Sequence, residues 1–92
     1  MQDSDTISRS DDVVSREVGG ETVLLDLGQG TYYGLNAVGG RIWEFLEGGD
    51  RTIGEIIALL TDEFDVTVAD AEADLRALLT ELEANALVKR AV

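Results

Sequence analysis

The chain contains no cysteine, no histidine and no proline. Without cysteine or histidine it has no thiol nucleophile, no disulfide, no ordinary zinc site and no imidazole general base, which removes most enzyme classes by residue type alone. No apolar run approaches the roughly 20 residues of a membrane span. The opening "MQDSDTISRS" is polar and acidic where a signal peptide is basic and then apolar, so a cytoplasmic protein is expected. Basic side chains are scarce: seven Lys and Arg against nineteen Asp and Glu give a formal net charge of −12. Such a surface repels nucleic acid and anionic membranes and favours neutral or basic partners. The acidic residues are spread along the chain and form no tail, so solubility alone accounts for most of them.

Ninety-two residues make one domain with one modest core. Residues 1–10 carry a single aliphatic side chain, too little burial to offset the entropy of ordering them. A disordered N-terminal segment is therefore expected over 1–10, ahead of a folded domain spanning 11–92. "VVSREV" (Val13–Val18) and "ETVLLDL" (Glu21–Leu27) read as strands joined by Gly19 and Gly20, a pair suited to a two-residue hairpin. "GQG" turns the chain again into "TYYGL" (Thr31–Leu35). The three runs make an antiparallel meander. In its second strand Val23, Leu25 and Leu27 point one way and Leu24 and Asp26 the other, so the Val23 face is expected to be the covered one.

Three helices follow. Asn36 suits the N-cap of a helix over Ala37–Glu47 with Val38, Ile42, Phe45 and Leu46 along one side, stopped by Gly48 and Gly49. Trp43 falls one position off that stripe, and packing against the sheet is its ordinary role. Gly39 and Gly40 each cost about 1 kcal/mol in a helix relative to Ala, which points to a close backbone approach there. Thr52 with Glu55 three residues on forms a capping box ahead of Ile53, Ile56, Ile57, Leu60 and Phe64. Thr67 caps a third helix in which Val68, Ala71, Leu75, Leu78, Leu79 and Leu82 fall within about 100° of arc. Asn85 ends it, and "ALVKRAV" follows as a short extended tail.

The fold class is thus α+β: a three-stranded antiparallel β-meander followed by three α-helices, like a winged helix-turn-helix. A DNA reader of that kind needs Arg, Lys, Asn or Gln on the exposed face of its last helix. Here that face carries Asp70, Glu72, Asp74, Glu81 and Glu83 against Arg76 alone. Phosphates would be repelled, and no nucleic-acid or membrane partner is expected. Asp62, Glu63 and Asp65 lack the ligand spacing and central glycine of a calcium loop, so no metal is expected. A carrier protein needs a serine at a helix start, and all four serines precede the first helix.

The stretch "TVLLDLGQGTYYGLNAVGGRIWEFLEGG", then "TIGEIIALLTDEFDV" and "LLTELEANALV", resembles the PqqD-like family of recognition elements for ribosomally made, post-translationally modified precursor peptides. The most specific parts are the strand-to-helix junction "YYGLN" and the glycines and tryptophan of "VGGRIW". Within that family the chain is similar to the stand-alone leader-binding proteins of lasso-peptide pathways, and also to the peptide chaperone of pyrroloquinoline quinone biosynthesis, which serves a radical-SAM enzyme. A winged-helix DNA-binding regulator is the remaining alternative.

The resemblance implies a non-catalytic protein with no cofactor. Its partners are a precursor peptide, through its leader segment, and a separate leader peptidase or other modifying enzyme. It also implies that the leader adds as an extra antiparallel strand to the third strand, in the groove beside the third helix. Thr31, Tyr32, Tyr33, Gly34 and Leu35 contain no proline that would interrupt such a ladder. Strict alternation sends one tyrosine to the helices and leaves open which one. On the helical wall the candidates are Ala71, Asp74, Leu75, Arg76, Leu78 and Leu79, with Leu75 at the centre of the core arc. Asp74 and Arg76 suit either leader charges or a solvated face.

Overall fold

The computed structural model describes residues 2–91; Met1, the first residue of the expected loose segment, and Val92, the last of the expected domain, lie outside the described residues. The elements in order are β1 (Thr6–Arg9), β2 (Val13–Val18), β3 (Glu21–Asp26), β4 (Thr31–Leu35), α1 (Ala37–Glu47), β5 (Arg51–Thr52), α2 (Ile53–Glu63), α3 (Val68–Ala84) and β6 (Val88–Ala91). They form two antiparallel sheets, β2-β3-β4 and β5-β1-β6, around one core. The meander and the three helices match the α+β reading, and α1 and β4 have the expected bounds.

The second sheet is the main departure. Thr6–Arg9, expected to be loose, is a strand between β5 and β6, with Thr6 opposite both Thr52 and Ala91. Its one aliphatic residue, Ile7, is fully buried. The preceding residues also serve α2: Ile53 N–H donates to the Asp5 carbonyl (2.9 Å) and Gly54 N–H to the Asp3 carbonyl (3.0 Å). Thr52 accepts from Glu55 N–H at 3.1 Å. Three of the N–H groups that a helix leaves without internal partners are thereby satisfied. Composition missed this segment because its order comes from backbone pairing with the far end of the chain, not from its own apolar content.

The face of β3 that meets the core is also the reverse of the expected one. Leu24 is fully buried and Asp26 nearly so, whereas Val23 and Leu25 are half-buried and Leu27 is exposed. Asp26 tolerates burial because its carboxylate accepts from the N–H groups of Gly28 (2.9 Å) and Gln29 (3.2 Å), closing the turn into β4. The opposite face, with Val14, Val18, Val23, Leu25 and Tyr32, is apolar and turned outward.

The helices are capped as their sequences demand. The Asn36 side chain accepts from Gly39 N–H (2.9 Å), Thr52 and Glu55 form the reciprocal box, and the Thr67 hydroxyl accepts from Asp70 N–H (3.1 Å). A side chain on Gly40 would meet the Thr22 hydroxyl at 2.5 Å, so α1 crosses β3 where only glycine fits without a shift. Trp43 is buried against this packing, with the Arg9 guanidinium 5.3 Å from its ring. Leu75, Leu79 and Leu82 seat α3 on the core, each contributing about 1.5–3 kcal/mol of burial. Val68, placed by its spacing on the same arc, is exposed because it opens the helix ahead of the packed region.

Candidate functional site

A strand end and a helix beginning share the junction at Asn36, and this sets the geometry of β4. The strand pairs with β3 along its whole length, from Thr22 opposite Leu35 to Asp26 opposite Thr31. No other described strand pairs with it, so β4 is an edge. Half of its backbone N–H and C=O groups therefore face away from the sheet, unblocked by proline.

Alternation along β4 divides its side chains. Tyr33 lies opposite the buried Leu24 and is half-buried against the core, and Leu35, on the same face, is buried. Tyr32 lies opposite Leu25 on the outward face and is 78% exposed. The tyrosine that turns to the helices is thus Tyr33. Its hydroxyl donates to the Glu81 carboxylate of α3. That contact shows which side of α3 the strand runs along.

On an α-helix, positions i, i+4 and i+7 share one stripe. Asp74, Leu78 and Glu81 have this spacing, so the contact at Glu81 brings Leu78 and Asp74 to the same side, with Asp70 a further turn back. Leu78 is half-buried, while Asp70, Asp74 and Glu81 are exposed. The opposite side of α3 meets β6: Arg90 pairs with Glu83 at 3.0 Å. Arg76, the one basic residue of α3, lies on that opposite side and pairs with Glu72 at 3.0 Å.

The candidate residues therefore separate into groups. Tyr33 is brought to α3 at Glu81, Leu78 and Asp74 continue that side of the helix, and Thr31 shares the face of β4 on which Tyr33 lies. Tyr32 and Gly34 belong to the outward face of the strand, and a side chain on Gly34 would meet open space. Leu35, Ala71, Leu75 and Leu79 are buried in the core. Arg76 faces away from β4. Glu81 was absent from the candidates of the sequence reading. Its signal was available, since it stands three residues after Leu78 and seven after Asp74.

Among the described residues no group of acidic side chains converges to hold a metal ion, and no helix is long and apolar enough to cross a membrane.

Fold and groove together define a small α+β domain in which the open edge of β4 is flanked by a helix. Residues 21–88 match the family described as Coenzyme PQQ synthesis protein D (PqqD), and the chain belongs to that family. Two solved structures share its fold. The first, TbiB1 in complex with the TbiA(beta) leader peptide, is 43% identical with a TM-score of 0.81, over 89% of this chain and 94% of that one. The second, a lasso peptide synthetase B1 complexed with the leader peptide, is 28% identical with a TM-score of 0.76, over 90% of this chain and 96% of that one. No curated protein matches the chain.

Proposed function

We propose that this protein binds the leader segment of a ribosomally made precursor peptide and delivers it to a separate enzyme, without itself catalysing a reaction. The leader adds to the open edge of β4 as a further antiparallel strand. Main-chain hydrogen bonds along the edge supply affinity, and alternate leader side chains enter the groove between Tyr33 and Leu78. The observation that carries this reading is the unpaired edge of β4 beside α3, in a chain 43% identical over 89% of its length to one solved with a leader peptide.

Both solved relatives are leader-peptide complexes and one is a lasso peptide synthetase B1, which favours a lasso-peptide pathway, with a leader peptidase as partner, over a pyrroloquinoline quinone-type pathway with a radical-SAM enzyme. Such a role belongs in the cytoplasm. Binding would hold the precursor near its enzyme and raise its effective concentration there. The DNA-reading alternative is disfavoured by α3, whose exposed surface is acidic and whose one arginine is already paired.

Calorimetric titration with the TbiA(beta) leader peptide tests the reading. Saturable binding is expected, together with loss of binding when the leader backbone is N-methylated at alternate positions, which removes ladder donors. An N-methylated leader that binds as tightly as the parent would overturn strand addition.

A further inference from the structure

The groove has a charge of one sign. Its strand wall is uncharged, with Tyr33 reaching α3 and Thr31 on the same face of the strand, and its helical wall carries Asp70, Asp74 and Glu81 around the apolar Leu78. Among the described residues no ion pair joins a Lys or Arg to Asp70, Asp74 or Glu81: Arg76 turns away to Glu72, Arg90 is held by Glu83, Arg41 by Glu63 and Arg9 by Glu47. Glu81 is engaged by the Tyr33 hydroxyl. Asp70 and Asp74 make no ion pair among the described residues, and both are exposed.

We propose that Asp74, assisted by Asp70, is a specificity determinant of this groove that selects a leader carrying Lys or Arg on the face turned to α3, two positions from an apolar residue seated on Leu78. The proposal rests on the strand-addition reading above and names the class of leader it takes. The spacing follows from the two periodicities. Residues two apart on a strand lie about 6.7 Å from each other, and residues four apart on a helix lie about 6 Å apart along its axis. A strand laid along α3 with an apolar side chain on Leu78 therefore brings its next inward-facing side chain to Asp74. An acidic residue there meets a like charge, and a neutral one leaves the carboxylate without a partner. A basic residue also benefits from the whole-chain charge of −12, which draws cationic segments toward the surface before docking.

The test is a scan of the TbiA(beta) leader peptide in which each residue is replaced in turn by Lys, Gln and Glu. Affinities are measured at low and high salt for the parent protein and for Asp74→Asn, Asp70→Asn and Asp74→Lys. Glu17→Gln, on β2 across the sheet from β4, controls for net charge. At one or two leader positions Lys should bind more tightly than Gln, and Gln more tightly than Glu, by about two- to fivefold per step for exposed pairs. This order should shrink in Asp74→Asn, invert in Asp74→Lys, persist in Glu17→Gln and fade as salt rises. Binding of all scan members with an order unaffected by Asp70 and Asp74 overturns this inference and leaves the strand-addition reading standing. Failure of the unmodified leader and every scan member to bind overturns both.

Discussion

Tyr33 of β4 donates its hydroxyl proton to the carboxylate of Glu81 on α3, joining residues 48 apart in sequence across the mouth of the groove. The strand and helix that wall the site are otherwise held through the core, β4 by Leu35 and α3 by Leu75, Leu79 and Leu82. Among the described residues this hydrogen bond connects the two walls at the surface. The tyrosine ring itself is half-buried against the core.

Tyr33→Phe removes that connection and keeps the ring. Both partners are near solvent, so the loss of stability should stay under about 1 kcal/mol. Urea unfolding should show a small shift in midpoint with an unchanged slope. Leader affinity should change more than stability, because Glu81 is released as an additional free carboxylate on the groove wall. A drop of several kcal/mol would mean that the hydroxyl supports the fold itself.

Leu78 and Leu79 are adjacent in sequence and opposite in consequence. Leu79 is 1% exposed, and an aspartate there would bury an unpaired charge. Leu79→Asp should unfold the domain or cost at least about 3 kcal/mol. Leu78 is half-buried at the groove, so Leu78→Asp should leave the circular dichroism spectrum nearly unchanged while reducing leader affinity about tenfold or more. Equal effects of the two substitutions on folding would remove Leu78 from the groove wall.

The comparison of sequence with structure divides along one physical line. Features set by local chemistry were legible: the Asn36, Thr52 and Thr67 caps, the bounds of β4 and α1, and the close approach at Gly40. Features set by pairing between distant segments were not. Thr6–Arg9 has too little apolar surface to announce itself, and its order comes from β6, more than eighty positions along the chain from Thr6 to Val88–Ala91. The buried face of β3 was misread because counting apolar side chains favours Val23, Leu25 and Leu27. The structure instead buries Leu24 and lets Asp26 satisfy a turn. At the site, alternation showed that one tyrosine must face the helices, but only the register opposite Leu24 identifies it as Tyr33.

The capping box of α2 gives a dependence on acid. The Glu55 carboxyl is held below its ordinary value of 4.5, first by the Thr52 backbone N–H and then by the Thr52 hydroxyl, both of which favour the ionised form. A carboxyl depressed in the folded state contributes stability that is complete above its unfolded value and is lost as pH falls through the folded one. Glu55→Gln can still accept from Thr52 but cannot titrate. Between about pH 5 and pH 3 the melting temperature of the parent should fall more steeply than that of Glu55→Gln. Thr52→Ala, which removes the reciprocal cap, should cost about 1 kcal/mol at neutral pH. Parallel melting profiles for parent and Glu55→Gln would show that the box does not respond to acid.

The edge of β4 can be blocked one amide at a time. Proline removes a backbone N–H and fits in a sheet only where that N–H is not part of a ladder. Along β4, N–H groups point alternately to β3 and to open solvent, so Tyr32 and Tyr33 occupy opposite roles. Of Tyr32→Pro and Tyr33→Pro, one should therefore break the β3 ladder, leaving a β3 carbonyl without its partner at a cost on the order of 1–3 kcal/mol. The other should keep the fold and lose the leader, since the missing donor and the ring occupy the rail itself. Because Tyr33 also carries the bond to Glu81, Tyr33→Phe serves as the reference for its side chain and separates backbone from hydroxyl effects. Circular dichroism with thermal melts, and calorimetry with the TbiA(beta) leader peptide, should find one variant destabilised and the other folded but unable to bind. Two folded variants that both bind like the parent would show that the leader does not add to β4.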